Sequence, residues 1–413
     1  MSEPAGTAAR RGALQLLISV LWQGRPLETA FDRSLAGLDR PADRAFARAI
    51  ASTVLRRLPD LDALIDGATQ RPLPHDARAR MVLRLALAQA LVMGTPPHAA
   101  VATALPLVDK GPRRLVHGVL SNLLKRGSAL PDHPTVPEPW ASRWAAAYGD
   151  IAPFAEALAH EPPTDLTLRD PAEADALAAA LEATVPAPGQ LRTARKGALT
   201  EWPGFAEGRW WVQDLAASLP ARLLGDVRGK HVADLCAAPG GKTLQLAAAG
   251  AEVTAIDIAE TRMARVRENL HRLGLAAETV AADARHWAPA QPLDAILLDA
   301  PCSASGIFRR HPDVLHLKGA RDLAPLVALQ AELLDHALGL LPAHGRLIYC
   351  TCSLEPEEGE DQIRAALARF ANIALDPIRA DELPAGVTPA PEGWVRTFPP
   401  TMDGFFISRL VRR

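Results

Sequence analysis

Two cysteines of this 413-residue chain stand where chemistry can reach them. PCSASG puts Cys302 just past Asp299, and CTCS puts Cys352 just past an apolar run, so both fall in loops. A thiolate in such a place is a nucleophile or a metal ligand. Cys350, inside the run RLIYC, suits a small inert hydrophobe instead. Zinc matches the set poorly, because C-T-C is tighter than the usual C-x₂₋₄-C pair, and no metal is expected. A zinc deaminase would need P-C-x-x-C, but Ser305 stands where the second cysteine would be. A loop that methylates an exocyclic amine would read Asn/Asp-Pro-Pro-Tyr, which D-A-P-C does not.

Upstream, LCAAPGGKT ends like a phosphate-binding P-loop, yet G-x-x-x-x-G-K-[ST] needs glycine where Cys236 stands. The dinucleotide fingerprint G-x-G-x-x-G is absent as well. Gly240 and Gly241 let a backbone approach a ligand closely, and a helix expected to begin near Thr243 turns its N-terminus toward negative charge. Three apolar runs then end at Asp257, Asp283 and Asp299. A carboxylate about twenty residues past the glycine turn hydrogen-bonds a ribose diol, which is the place of Asp257. One such aspartate is more often a helix cap; three beside the turn point to a ligand with one ribose, an adenine amine and an ammonium group. The acids would repel the phosphates of ATP. S-adenosylmethionine (SAM), with its sulfonium and amino-acid tail, suits them.

Two loop thiols beside a methyl donor have a particular use. C5 of cytosine is a poor nucleophile, but a thiolate added at C6 turns the ring into an enamine-like species whose C5 can attack a methyl group. The C5 proton must then leave and the thiol be expelled, which calls for a base or a second thiol. Asp299 is placed to hydrogen-bond N3 or N4 of the ring. Lys242 and the cationic donor would lower a cysteine pKa if they lie near it.

The elements that hold these residues are legible in the hydrophobic pattern. HVADLC, VTAID, ETVAAD, DAILLDAP and RLIYCTCS alternate with helical segments, the mark of a parallel, doubly wound sheet. Ligands of such sheets sit outside the carboxyl ends of the strands, where all the residues above fall. Residues 1–128 read differently, as helix after helix: Leu14, Leu17, Val20 and Leu21 recur at helical spacing, as do Leu55, Leu58, Leu61, Leu64 and Ile65. Another helix spans Met81 to Leu91, with Arg84 expected at its edge. Lys110, Arg113, Arg114, His117, Lys125 and Arg126 gather in the last helix and suit either phosphates or plain solvation. SALPDHPTVPEP makes 129–139 a linker, 140–206 a small α+β segment with helices near 141–148, 151–159 and 172–183, and 207–413 the sheet domain.

Composition adds exclusions. A hydrophobic fraction of 48% with 22% charged residues is that of a soluble globular protein, and a net charge of −2 neither requires nor forbids a nucleic-acid partner. The apolar stretch 85–108 is broken by Gly94, Pro96 and Pro97, so helix–turn–helix is expected there and no membrane span. Four cysteines in so long a chain make no disulfide framework, which suits a cytoplasmic location.

DLCAAPGGKT, ILLDAPCSASGIFRRHPDV, IYCTCSLEPEEGEDQI and DGFFISRL together resemble the RsmB/NOP family of RNA 5-methylcytosine methyltransferases. AARRGALQLLISVL, DRAFARAIASTVLRRLPDLDALI and HAAVATALPLV are similar to the NusB-like RNA-binding domain that precedes the catalytic domain in members of that family. The resemblance implies a class I SAM-dependent methyltransferase, with a Rossmann-like doubly wound sheet, preceded by an all-α NusB-like domain and a small α+β segment. It implies that Cys236, Ala237, Ala238, Pro239, Gly240, Gly241 and Lys242 hold the methionine part of SAM. Asp257, with Arg262 close by, would bind the ribose, Asp283 the adenine amine, and Asp299 the donor's amino group or the base. Cys352 would be the nucleophile and Cys302 would assist release, with Asp299 and Lys242 completing the catalytic set. Arg309, Arg310 and His311 resemble an RNA-facing loop. The implied substrate is RNA, 16S rRNA foremost with tRNA as the alternative, and the implied enzyme a monomer. A non-catalytic RNA-binding or assembly factor with this fold is the rival from another class. GVLSNLLKRG departs from the Asn-Ala-Val-Leu-Arg-like helix of the family, and 172–200 match it loosely.

Overall fold

The computed structural model describes residues 6–413 and divides into two compact units. The first holds the chain up to Glu161 together with Phe308–Gly319. Its helices are α1 (Thr7–Leu21), α2 (Leu27–Ser34), α3 (Pro41–Arg56), α4 (Leu58–Gly67), α5 (Arg78–Leu91), α6 (Pro97–Ala104), α7 (Lys110–Lys125), α8 (Trp140–Tyr148) and α9 (Ala152–Ala159), with α14 (Val314–Leu317) in the later segment. The expected helix–turn–helix of 85–108 is thus α5, a turn and α6. The periodic apolar residues Leu14, Leu17 and Val20 of α1 and Ile50, Val54 and Leu55 of α3 are all buried in one core. The α7 helix turns Val116, Val119, Leu120 and Leu123 into that core and leaves Lys110, Arg113, Arg114, His117 and Lys125 exposed, as is Arg126 just past its end.

Burial in α5 differs from expectation. Every residue from Ala79 to Gln89 is buried, so Arg84 does not emerge at an edge. The helix is central, and the arginine is carried inside on an ion pair. Arg84 donates from Nε and Nη2 to the two oxygens of Asp62 at 2.7 and 2.8 Å, and Arg80 donates to Asp62 at 3.1 Å and to Asp66 at 2.7 Å.

Residues 140–206 do not form one segment. The helices α8 and α9 belong to the helical unit, where Trp144 meets Phe154 at a ring-centroid distance of 5.0 Å and Phe308 at 5.4 Å. The stretch 308–319 is tied down there as well. Trp140 Nε1 donates to Leu315 O at 3.0 Å, Leu27 N donates to Asp313 Oδ2 at 2.9 Å, and a ring nitrogen of His316 bonds Leu55 O at 2.8 Å. Arg56 donates to the carbonyls of Leu158 and Arg309. Arg309 itself is 2% exposed, and Arg310 and His311 are half-buried. Burial thus takes Arg309 out of the RNA-facing loop expected at these three residues: aromatic packing and captured carbonyls hold its backbone in the helical core, while Arg310 and His311 stay half exposed.

The second unit holds 162–307 and 320–413. It opens with a four-stranded antiparallel sheet, in the order β2-β3-β1-β4, of β1 (Thr164–Leu168), β2 (Ala183–Ala187), β3 (Gln190–Thr193) and β4 (Trp210–Val212). Helix α10 (Ala174–Leu181) packs Leu177 and Leu181 against it, with Trp202 and Trp210. After α11 (Leu215–Arg222) come β5 (His231–Leu235), α12 (Gly241–Ala248), β6 (Glu252–Asp257), α13 (Glu260–Leu273), β7 (Glu278–Ala281), β8 (Ala295–Asp299), α15 (Leu323–Leu340), β9 (Arg346–Thr351), α16 (Glu360–Arg369), β10 (Ile373–Leu375), β11 (Val395–Thr397) and β12 (Phe405–Arg412). The five strands expected from the apolar runs are β5 to β9, and they pair in parallel.

The large sheet runs β10-β12-β9-β8-β5-β6-β7, with β11 also on β12, and β12 is antiparallel to β9. Its central strands are buried on both faces, which is why they read as unbroken apolar runs. Val232, Leu297, Ile348 and Cys350 face α11 and α12, whereas Ala233, Ile296, Leu298 and Leu347 face α15 and α16. Strand order reverses between β5 and β8, so the topological switch point opens above their carboxyl ends.

The buried arginine pair gives a test of the helical unit. Asp62→Ala leaves two desolvated guanidinium groups short of a carboxylate, and breaking such a pair costs about 3–5 kcal/mol. Urea unfolding of the variant should show a loss of that size in the transition of the helical unit.

Candidate active site

The turn after β5 is built on unusual backbone. Cys236 adopts φ 62°, and Gly240 adopts φ 104°, where a side chain is strained and a Cβ would meet Val266 at 3.1 Å. The α12 helix starts at Gly241, two residues earlier than expected, with Thr243 Oγ1 donating to the buried Asp234 at 2.5 Å. Burial pushes the Asp234 carboxyl up to about 7. Asp257, at the end of β6, accepts from Ala238 N at 3.2 Å and Ala259 N at 3.1 Å. Arg262 pairs with Asp257 at 3.2 Å and donates to Ala238 O at 2.6 Å, so one side chain braces both the strand end and the turn. Asp283 lies two residues past β7 and is gripped by Arg285, whose hydrogen bonds hold the carboxyl down at about 2. This arrangement fits SAM: a tight glycine turn at a helix start, with carboxylates at neighbouring strand ends for a cation and a ribose.

The fourth and fifth strands bring the sulfurs together. Asp299 pairs in register with Cys350, and Ala300 N donates to Cys350 O at 3.0 Å, so the two loops leave the sheet side by side. Cys302 Sγ and Cys352 Sγ are 3.4 Å apart, with Cys302 buried and Cys352 half-buried. Cys350 is fully buried and its thiol is raised by burial first and then by Asp299. The thiol of Cys236 is pushed up to about 12 by burial and by Asp299, Asp257 and Asp234.

Lys242 is engaged with an acid and an aromatic ring. Its Nζ lies 2.6 Å from Asp299 Oδ2 and 5.3 Å from the ring centre of Phe405. Burial disfavours its charge, but Asp299 outweighs that and raises its pKa. The thiol of Cys302 is shifted toward its protonated form. Its hydrogen bond with Cys352, then burial, then the charges of Cys352 and Glu358 raise it well above the ordinary thiol range.

The sequence reading missed a group of supporting residues. Ser303, Ser305 and Ser353, each beside or near a cysteine, are buried and linked by hydrogen bonds through their hydroxyls, and Glu358 closes the group. The repeated Cys-Ser pair in both loops, and the acid run after the second, are the only local signals for it. The terminal DGFF is a second support. Gly306 N donates to Cys352 O at 3.0 Å, and Gly404 N donates to Gly306 O at 2.9 Å.

Fold and site define a class I SAM-dependent methyltransferase, its cofactor turn at the switch point and two thiols across from it. The chain belongs to the RsmB/F family: residues 221–411 match the family described as 16S rRNA methyltransferase RsmB/F, and residues 7–125 match the NusB family. It is 37% identical over 406 residues to the ribosomal RNA small subunit methyltransferase B of Klebsiella pneumoniae subsp. pneumoniae, covering 90% of each chain. A methyltransferase homologue from Pyrococcus horikoshii is 28% identical over 71% of this chain and 98% of its own, with a TM-score of 0.57. The crystal structure of PH0851 shares the fold at 24% identity and a TM-score of 0.77, over 99% of both chains.

The contact between Gly306 and Gly404 can be tested. A Cβ on Gly306 would stand 2.0 Å from Gly404 O, and overpacking of this kind costs about 1–3 kcal/mol. Gly306→Ala should slow methyl transfer at least tenfold while calorimetric SAM binding, which rests on the β5 turn, stays near that of the parent.

Proposed function

We propose that this enzyme methylates C5 of a cytosine in 16S rRNA through a temporary bond between Cys352 and C6 of the base. The observation that carries the reading is the 3.4 Å contact of two loop sulfurs beside the cofactor turn. Bound SAM supplies an electrophilic methyl group. The residues Cys236 to Lys242 hold its methionine part, Asp257 its ribose with Arg262 bracing the carboxylate, and Asp283 its adenine amine. Lys242 fixes Asp299, whose carboxylate then meets the amino group of the donor or the pyrimidine edge.

Cys352, the more accessible sulfur, adds as thiolate to C6, and the electron pair of the C5=C6 bond becomes available at C5. Once C5 carries the methyl group, Cys302, having first lost its own thiol proton to solvent, takes up the C5 proton. The C5–H electron pair re-forms the double bond, and the Cys352 sulfur leaves with its own pair. A target base must be unstacked for a sulfur to reach C6. The exposed basic face of α7 supports a grip on rRNA phosphates. The enzyme works in the cytoplasm as a monomer.

The two sulfurs give opposite signatures. Cys352→Ala should abolish transfer to rRNA while SAM still binds; turnover above background would place the nucleophile elsewhere. Cys302→Ala should accumulate a protein–RNA adduct that survives a denaturing gel, and normal turnover without that band would remove Cys302 from the release step.

A further inference from the structure

Glu358 sits at the end of a short turn, Pro356–Glu358, and is fully buried. Its carboxylate accepts four hydrogen bonds. Ser303 N reaches Oε1 at 2.8 Å and Gln330 Nε2 reaches the same oxygen at 2.9 Å, while the hydroxyls of Ser303 and Ser353 both reach Oε2 at 2.5 Å. Ser303 follows Cys302 and Ser353 follows Cys352. One carboxylate therefore grips the residue next to each sulfur, on two loops fifty residues apart in the chain. The backbone carbonyl of Glu358 is held too, by Tyr349 Oη at 2.8 Å.

All four donors are neutral. The nearby cations are engaged elsewhere: Lys242 with Asp299, and Arg396 with Glu360, to which its Nε donates at 2.7 Å. A carboxylate buried among neutral donors is costly unless every lone pair is satisfied, and here all are used on the two cysteine loops and Gln330. The charge is also felt by Cys302, where it adds to the effects of Cys352 and burial.

We infer that Glu358 is a positioning residue for methyl transfer: its carboxylate clamps the two cysteine loops so that the sulfurs stay in contact. The clamp deepens the proposed reading of the two sulfurs and does not depend on the release role of Cys302. Neutralising the carboxylate removes an acceptor that both serines share and leaves one amide NH₂ facing two hydroxyls. The loops should then separate.

The clamp is read on the full-length protein: diamide takes up two hydrogens as the thiols of Cys302 and Cys352 join in a disulfide, followed by peptide mapping. Glu358→Gln should close this bond at least tenfold more slowly than the parent, and so should Ser303→Ala with Ser353→Ala, which leaves the carboxylate in place and covers the case in which Glu358→Gln does not fold. An unchanged closing rate in the folded variants overturns the clamp, whatever the enzyme methylates. Glu358→Asp, which keeps the carboxylate acceptor, should restore closing toward the parental rate, and a rate as slow as that of Glu358→Gln would count against the carboxylate. If Cys302→Ala turns over normally with the closing rate still dependent on Glu358, the release role fails and the clamp survives.

Discussion

The contact between two sulfur atoms is the constraint around which this site is arranged, and strand adjacency produces it. Parallel neighbours in a sheet lie about 4.8 Å apart, so loops that leave β8 and β9 in register must run side by side. Each loop then needs only a few residues to bring a thiol into the shared space. The cost is that two short loops must be held against solvent and against each other. Buried serines, a fully hydrogen-bonded carboxylate and the Gly306–Gly404 approach supply that support.

Charge at the mouth of the sheet is balanced by local pairing. Asp257, Asp283 and Asp299 each carry a cationic partner from the chain itself: Arg262, Arg285 and Lys242. These cations do not sit on the thiols. Cys236, Cys302 and Cys350 are all shifted toward the protonated form by burial and neighbouring acids. Of the four thiols, the half-buried Cys352 and Cys236 are the more accessible, and Cys352 is the one of these two that meets the sulfur of Cys302. The accessible, paired sulfur is the one suited to meet a base.

Much of this was readable from the residues, for definite reasons. Strands buried on both faces announce themselves as apolar runs, and a ligand turn needs glycine at particular backbone angles, so β5 to β9 and the turn before α12 stood out. The small sheet, β10, β11 and β12 did not. They are short or pair antiparallel outside the repeating strand–helix pattern, and β12 carries Arg409, a buried arginine paired with Asp376 and Glu382. Burial of Arg84 depended on Asp62, on a different helix and 22 residues earlier. The packing of 308–319 with the helical unit depended on Trp140, Trp144 and Phe154, more than 150 residues away in the chain. Glu358 escaped notice because its importance lies in which loops it joins, and no local pattern records that.

The central claim is that one particular sulfur bonds the base. Incubating the enzyme with SAM and an rRNA fragment bearing 5-fluorocytosine at the target position tests it, because a fluorine at C5 has no proton to surrender and the adduct persists. Mass mapping of the trapped peptide should place the nucleotide on Cys352, within the segment that contains Thr351 and Ser353. A nucleotide found on Cys302, or no covalent species at all with methyl transfer intact, would contradict the account.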